Sequence, residues 1–340
     1  MRWAEMRRRA IDPTRIAGVT QIVYDDADRR GVRGLLVRNA AGLSVTFIVD
    51  RALDAAELIA HGSPLTWYGP GNASLGGYLD PSPDDFARTF FGGLVTTCGL
   101  DAFGPPGCDR YGSWPQHGHV NHMPAREVRY VVDWDGVEPC IEINGTIVQF
   151  SMFGESLRLE RTWRVLLNEN RITLHDRVTN DGGATVPHMV LYHCNVGFPL
   201  LDEATRWTID VSATTPRDAE AMKGLDCWDR GGLPQPEFLE QVFVHQPRAN
   251  ASGWCTATAT NPALARGMAL AIAFRPDELP GLFSWRMLGY STYVMAIEPA
   301  NCTTVAGRLA AAKAGTLPAL APGQSRNYHL TFSVASSFGM

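Results

Sequence analysis

The chain has 340 residues, a formal net charge of -5, 45% hydrophobic residues and 19% charged residues. The negative balance argues against a nucleic-acid partner, because phosphate binding requires a clustered Lys/Arg surface, and no segment approaches the ~18 uninterrupted apolar residues of a membrane span. Seven scattered cysteines without a C-x-x-C pair favour reduced thiols over a disulfide framework or a structural zinc site. The opening "MRWAEMRRRAID" lacks the apolar stretch of a secretory signal, so we expect a cytoplasmic protein.

Strands are predicted along most of the chain. Apolar and polar residues alternate in "RGLLVRN", "GLSVTFIVDR" and "VRYVVDW", then in "SLRLERTWRVL" and "NRITLHDRVTND", which the hairpin loop Asn168–Arg171 separates. Short helices are indicated only at "PDDFARTFF" from Pro83 and "DAEAMKG" from Asp218. Later strands follow in "FLEQVFVH", "GMALAIAFR", "STYVMAIE" and "NYHLTFSVA". With no linker or repeat, this all-β pattern predicts one large antiparallel β-sandwich at residues 31–340, preceded by an N-terminal arm at 1–30.

The stretch from Gly92 to Pro124 departs from the alternation. It is rich in Gly, Pro, Cys and His, and a loop of this length in a compact domain is usually functional. Its "QHGHVNHMPA" contains three histidines that could form the wall of a ligand site, a metal site or a polar surface loop. A His-x-His pair on a strand would direct both imidazoles to one face, as divalent metal sites often require. The three histidines are His117, His119 and His122.

Two ionisable residues lie within apolar strands. His193 is found in "LYHCNVGFPLLDE" and Glu298 in "YVMAIEPANC". Taken singly, His193 could be a core histidine hydrogen-bonded to a carbonyl group, and Glu298 could be an exposed strand end. Together they could act as general acid and general base if the fold brings them to one substrate.

Several segments resemble a known family. "FFGGLVTTCGLDAFGPP", "HGHVNHMPAREV", "LYHCNVGFPLLDE" and "YVMAIEPANC", in this order, closely resemble an uncharacterised, DUF4432-like branch of the aldose 1-epimerase (galactose mutarotase-like) family. The resemblance implies a β-supersandwich with a sugar cleft on its concave face. It implies that His193 protonates the ring oxygen and that Glu298 removes the anomeric proton, as imidazolium and carboxylate at neutral pH and without a cofactor.

The resemblance also suggests substrate-binding residues. His117 matches a family histidine that binds the sugar near its ring oxygen, whereas His119 stands where the branch often has arginine. Arg51 and Arg88 could equally form structural ion pairs, and an aromatic strand residue such as Trp285 is more often part of a core. Asp226 and Asp229 are the weakest candidates, for the family's sugar-binding aspartate. The full predicted substrate-binding set is His117, His119, Asn121, Arg51, Arg88, Asn195 and Trp285.

We therefore expect a carbohydrate isomerase of the aldose 1-epimerase type (EC 5.1.3 class) that acts on a small sugar or sugar derivative, with no nucleic-acid or membrane partner. An exposed sandwich face often pairs with another copy of the same chain, so the protein could form a homodimer. Two alternatives stay open as well. One is a metal-dependent isomerase, epimerase or lyase on the same fold, with Zn or Mn held by His117 and His119 together with His122 or Glu298. The other is a carbohydrate-binding protein without catalysis.

Overall fold

Antiparallel strands dominate the structure, a computed structural model that describes residues 3–26, 29–69 and 85–336. The alternating sequence pattern predicts this architecture, and the all-β prediction is confirmed. In chain order the strands are β1 (Gly18–Val23), β2 (Arg33–Arg38), β3 (Leu43–Ile48), β4 (Asp54–Ala60), β5 (Ser63–Pro64), β6 (Thr96–Leu100), β7 (Gly107–Asp109), β8 (Gly112–Trp114), β9 (Arg126–Asp133), β10 (Cys140–Phe150), β11 (Ser156–Leu166), β12 (Arg171–Asn180), β13 (Val186–Pro187), β14 (Met189–Gly197), β15 (Arg206–Ile209), β16 (Val211–Pro216), β17 (Gln241–Pro247), β18 (Cys255–Asn261), β19 (Met268–Phe274), β20 (Gly281–Gly289), β21 (Thr292–Ala300), β22 (Ala319–Leu320) and β23 (Ser325–Ser336).

Three larger sheets carry most of the fold. A five-stranded sheet has the order β1-β2-β3-β4-β5, an eight-stranded sheet the order β15-β18-β19-β23-β12-β11-β10-β9, and a six-stranded sheet the order β16-β17-β20-β21-β14-β6. The large hydrophobic core joins inward-facing residues of all three, such as Phe47, Trp163 and Ile297. Strand β1 pairs with β2, so the segment treated in the sequence as an N-terminal arm contributes an edge strand.

Helices are few and short. They are α1 (Trp3–Arg7), α2 (Asp85–Thr89), α3 (Ala219–Met222) and α4 (Arg308–Ala314). The sequence predicts α2 and α3, although Pro83 and Asp84 lie outside the described residues, whereas α4 is not predicted. Among the described helices, none has the length and apolar character needed to cross a bilayer.

Strand β14 is covered on both faces. Tyr192 and Cys194 point into the large core between the sheets, whereas Met189 and Leu191 belong to a smaller apolar cluster on the opposite, outer face. Because side chains alternate along a strand, His193 shares the outer face with Leu191. This face of the six-stranded sheet carries the candidate site.

The prediction of a single long loop from Gly92 to Pro124 is wrong in part. The segment contains β6, which pairs antiparallel with β14 at the edge of the six-stranded sheet, and the short hairpin of β7 and β8. Its apolar "VTTCGL" is fully buried, so the alternation that marks a half-exposed strand is absent. The histidine-rich part remains irregular and packs against β6.

Candidate active site

His193 and Glu298 meet across two neighbouring strands. The register of β14 and β21 pairs Cys194 with Ile297, which places His193 directly opposite Glu298. His193 Nε2 lies 3.3 Å from Glu298 Oε1, and the two side chains are only 6% and 8% exposed. The fold therefore brings together the two residues that the sequence nominates as acid and base.

Aromatic rings surround this pair. The ring of Phe90, which follows α2, lies 4.9 Å from the His193 ring, and that of Trp285 on β20 lies 5.4 Å from it, both edge-on. Phe90 also stacks on Trp67 at 5.6 Å. Apolar walls of this kind exclude water from the pair and offer flat faces on which a sugar can stack.

His117 reaches the same site from a turn packed on β6. Its ring centroid lies 6.1 Å from that of His193 and 4.5 Å from that of Phe86. The turn fits only because Gly118 has no side chain: a Cβ there would come within 2.5 Å of carbonyl oxygens of Gly99 and Ala102. His117 itself has a φ of +59°, a backbone conformation that functional sites tolerate more often than ordinary turns.

Three buried polar atoms at the site have no hydrogen-bond partner among the residues that the structure describes. They are Nδ1 of His117, Nδ1 of His193 and Oδ1 of Asn195. Asn195 lies two residues after His193 on the same face, and its amide nitrogen donates to the carbonyls of Gly93 and His193 at 3.1 and 2.8 Å. Buried polar atoms are normally paired, so these atoms indicate a surface prepared for a polar ligand.

Burial sets the protonation of the pair. Desolvation, with a smaller contribution from His117, lowers the pKa of His193 to about 3. Desolvation, with a smaller contribution from the Glu240 carboxylate, raises the pKa of Glu298 to about 8. Both shifts favour the neutral imidazole and the carboxylic acid over the imidazolium and carboxylate expected from the sequence, because charged forms are costly in a dry site.

The rim of the site is polar, and the sequence analysis does not identify its residues. Glu240 accepts a hydrogen bond from Trp285 Nε1 at 2.9 Å and one from Arg217 Nη2 at 2.9 Å. Glu240 stands in "FLEQVFVH", where a glutamate before a strand looks like any solvated residue. Only the cross-strand pairing of β17 with β20 brings it beside Trp285.

Other predicted binding residues have structural partners. Arg51 is buried and donates to the backbone carbonyls of Asn121 and Thr89 and to the side-chain oxygen of Asn121. His122 is hydrogen-bonded to the Thr89 hydroxyl at 2.7 Å. Arg51, Asn121 and His122 therefore brace α2 against the histidine-rich turn, and they do not line the pair.

The predicted arrangement of His117 and His119 on one strand is wrong. They flank Gly118 in a turn, and while His117 faces His193, Nδ1 of His119 lies 3.7 Å from Asp101 Oδ1. In the described part of the chain, His117, His119 and His122 do not form a group that could hold a metal together. Arg88 and Asp226 are exposed and Asp229 is half-buried.

Comparison with models of known families identifies the family of this chain. Residues 29–334 match the model of a domain of unknown function, DUF4432. The chain belongs to the DUF4432 family. No curated protein matches it.

Solved structures relate the DUF4432 chain to a wider fold group. A candidate aldose 1-epimerase from Klebsiella pneumoniae matches with a TM-score of 0.86 and 25% identity, over 93% of this chain and 83% of that one. A galactose mutarotase-like protein from Clostridium acetobutylicum matches with a TM-score of 0.64 and 11% identity, over 95% and 99% of the two chains. Galactose 1-epimerase from Lactobacillus acidophilus matches with a TM-score of 0.55 and 13% identity, over 94% and 99%. The predicted galactose mutarotase-like fold is confirmed.

Proposed function

We propose that this DUF4432 protein opens and recloses the ring of a sugar hemiacetal, an isomerase reaction of the aldose 1-epimerase type, with His193 and Glu298 exchanging the proton. The observation that carries the proposal is their buried contact at 3.3 Å on the outer face of the six-stranded sheet. The names of its structural relatives, among them a galactose 1-epimerase, agree with it.

The reaction requires an acid and a base that are close neighbours. A hemiacetal opens when its anomeric hydroxyl loses a proton, the bond from the anomeric carbon to the ring oxygen breaks and the ring oxygen gains a proton. Both oxygens are attached to the same carbon, so two groups on adjacent strands can serve them together. Rotation of the freed carbonyl and reversal of the steps then give the other anomer.

The neutral form of the pair can perform both transfers. The Glu298 carboxyl donates its proton to the ring oxygen while His193 Nε2 accepts the anomeric proton, which leaves an imidazolium and a carboxylate. Ring closure returns both protons. These roles are interchanged relative to those implied by the family resemblance, and burial of the unliganded site favours them.

The surrounding residues suit a sugar. Trp285 and Phe90 present aromatic rings to its apolar face, and the unpaired atoms of His117 and Asn195 can bind hydroxyls. Glu240 at the rim can accept a further hydroxyl hydrogen bond beside Trp285.

Anomer-exchange NMR on a panel of aldoses, ketoses and uronic acids tests the proposal, with and without a chelator. We expect the protein to accelerate exchange of at least one sugar, and Glu298→Gln and His193→Ala each to lower that rate by about a hundredfold to ten-thousandfold. Rates that survive chelation support acid–base chemistry by the chain's own residues.

The surface pair of His329 and Glu278, 2.8 Å apart, supplies matched controls. His329→Ala and Glu278→Gln make the same chemical changes away from the site and should leave the exchange rate unchanged. If a sugar binds but exchanges at the buffer rate, the protein is a carbohydrate-binding protein and the proposal fails.

A further inference from the structure

A second cluster of ionisable residues lies apart from the His193–Glu298 pair. Asp101, His119 and Glu155 each present one potential ligand atom, and the three atoms lie within 4.8 Å of one another. Asp101 follows β6 at the end opposite Thr96, the cross-strand neighbour of His193. Asp101 lies five residues beyond Thr96 in the sequence, and the proposed reaction does not use the cluster.

Three rigid segments position the donors. Asp101 is 4% exposed and directly follows β6, and Glu155 directly precedes β11. His119 is fixed by its backbone N–H, which donates to the carbonyl of Gly99 at 2.9 Å. Donors on fixed backbone need little ordering when an ion binds.

The two carboxylates are held by a shared amide. Gln149 Nε2 donates to Asp101 Oδ1 at 2.6 Å and to Glu155 Oε1 at 2.8 Å, and Leu100 N–H fixes the amide by donating to its oxygen at 2.9 Å. Each carboxylate oxygen retains a second lone pair. Outer hydrogen bonds that orient carboxylate ligands in this way are typical of metal sites.

Negative charge at the cluster is incompletely balanced. Arg308 is shared between Asp101 and Asp109, at 3.0 and 2.9 Å. Among residues 3–26, 29–69 and 85–336, no lysine or arginine nitrogen within 4 Å of Glu155 forms an ion pair with it. Of the two carboxylates of the cluster, Asp101 pairs with Arg308 and Glu155 has no such ion pair among the described residues, which favours an additional positive charge between them.

The imidazole of His119 points to where that charge would sit. Its Nδ1 is buried and has no hydrogen-bond partner in the described part of the chain, since the 3.7 Å distance to Asp101 Oδ1 is too long for a hydrogen bond. We propose that Asp101, His119 and Glu155 bind one divalent transition-metal ion of the Zn²⁺ or Mn²⁺ type. One nitrogen and two carboxylate oxygens form a donor set that suits these ions.

The ion would stabilise the turn between His119 and His117 and would not take part in the reaction of the sugar. His119 and His117 are separated only by Gly118, so an ion bound to His119 fixes the turn that carries His117 into the candidate active site. This metal site is distinct from the predicted His117, His119 and His122 set, since it uses only His119 of the three.

Binding of Co²⁺ to the full chain, stripped of metal beforehand, tests the proposal. The visible absorption of Co²⁺ reports nitrogen ligation, and calorimetric titrations with Zn²⁺ and Mn²⁺ give the stoichiometry without any sugar. We expect one ion per chain and a higher thermal unfolding temperature. His119→Ala and Glu155→Gln should each weaken binding at least about tenfold and remove the thermal shift.

His329→Ala removes an imidazole from the surface His–Glu pair and should bind the ion as the wild type does. Circular dichroism verifies that each variant folds, and His119→Gln replaces His119→Ala if the latter does not. The proposal is overturned if none of the three ions binds the metal-free protein at millimolar concentration, because Arg308 and a proton on His119 would then be sufficient counter-charge. Unchanged binding in both variants would also overturn it, because the ion would then lie elsewhere. Neither result depends on whether the protein isomerises a sugar.

Discussion

Two groups of buried ionisable side chains lie on opposite faces of the same sheet, and adjacent residues of β14 belong to them. Tyr192 faces the core between the sheets, whereas His193 faces outward. We call the inner group the core ion network; it consists of Asp54, Thr97, Arg161, Asp176 and Tyr192. The outer group is the His193–Glu298 pair.

The core ion network is fully paired. All five N–H groups of the Arg161 guanidinium donate, and their acceptors are the carbonyl of Ala52 and side chains of Asp54, Thr97 and Asp176. Burial opposes the charge of Arg161, but Asp176 and Asp54 outweigh it and raise its pKa. The network ties β4, β6, β11 and β12 together through these hydrogen bonds.

The His193–Glu298 pair is the opposite case. Among the described residues, the two side chains approach each other at 3.3 Å and Nδ1 of His193 has no partner, while both pKa values are shifted in the direction that favours neutral groups. Buried charges that are completely paired serve the fold, whereas buried groups left incompletely paired are typical of functional sites. The degree of pairing therefore separates the two groups, although both are equally buried.

The largest effect on stability is expected from breaking the core ion network. Arg161→Met leaves two buried carboxylates without a counter-ion, and removal of one partner of a buried ion pair costs about 3–5 kcal/mol. The free energy of unfolding from urea titration should fall by that amount. Asp176→Asn provides a milder variant if Arg161→Met does not fold.

A surface arginine is the matched control for this prediction. Arg158 pairs with Asp181 and Glu160 at the edge of solvent, and Arg158→Met should cost no more than about 1 kcal/mol. A loss below 1 kcal/mol for Arg161→Met would mean that the network is not what holds these strands together.

Glu298→Gln should raise the free energy of unfolding at high pH, whereas Arg161→Met should lower it. The folded pKa of Glu298, about 8, lies above its ordinary value of 4.5. The folded protein therefore binds this proton more tightly than the unfolded chain, and the resulting stability is complete below pH 4.5 and is lost as pH rises toward 8. Glutamine mimics the neutral form at every pH. At pH 9 the variant should be more stable than the wild type by a few kcal/mol, since each pKa unit corresponds to about 1.4 kcal/mol.

Thermal and urea unfolding at pH 5 and pH 9 check the prediction. The exposed Glu203→Gln should change stability by less than about 0.5 kcal/mol. A Glu298→Gln variant that is destabilised at pH 9 would show that the carboxylate is favourably paired in the folded protein, and the comparison between the two groups would not hold.

The fold could be predicted from the sequence because alternation is a local property. "SLRLERTWRVL" and "NRITLHDRVTND" alternate visibly and form β11 and β12 with the expected hairpin. Strand β6 was missed since "VTTCGL" is buried on both faces and so does not alternate. Helix α4 has too few large apolar residues to show helical periodicity, although its alanines and the Gly315 that ends it are local helix signals.

The candidate site could be predicted only where a motif resembles a family. His193 and Glu298 were found in this way, although their contact depends on the register of β14 and β21, which no local pattern encodes. Glu240 and Glu155 lack such a motif, so only the fold reveals their neighbours. The error for His117 and His119 arose because the turn at Gly118 depends on close packing against β6.

The smallest effect is expected from charges at the rim, where the comparison can be refined. Glu240 helps to raise the pKa of Glu298 and Arg217 lowers it, while His193 and His117, the other ionisable groups at the pair, are held neutral by burial. If the Glu298 carboxyl is the proton donor, kcat/KM for sugar exchange should fall as pH rises through about 8. Glu240→Gln should move that fall to lower pH, and Arg217→Gln should move it to higher pH. Each shift should be less than about one pH unit, because both side chains are partly exposed and solvent screens their charges. Shifts in the same direction would mean that the variants act by disturbing Trp285 and not through the charge felt by Glu298.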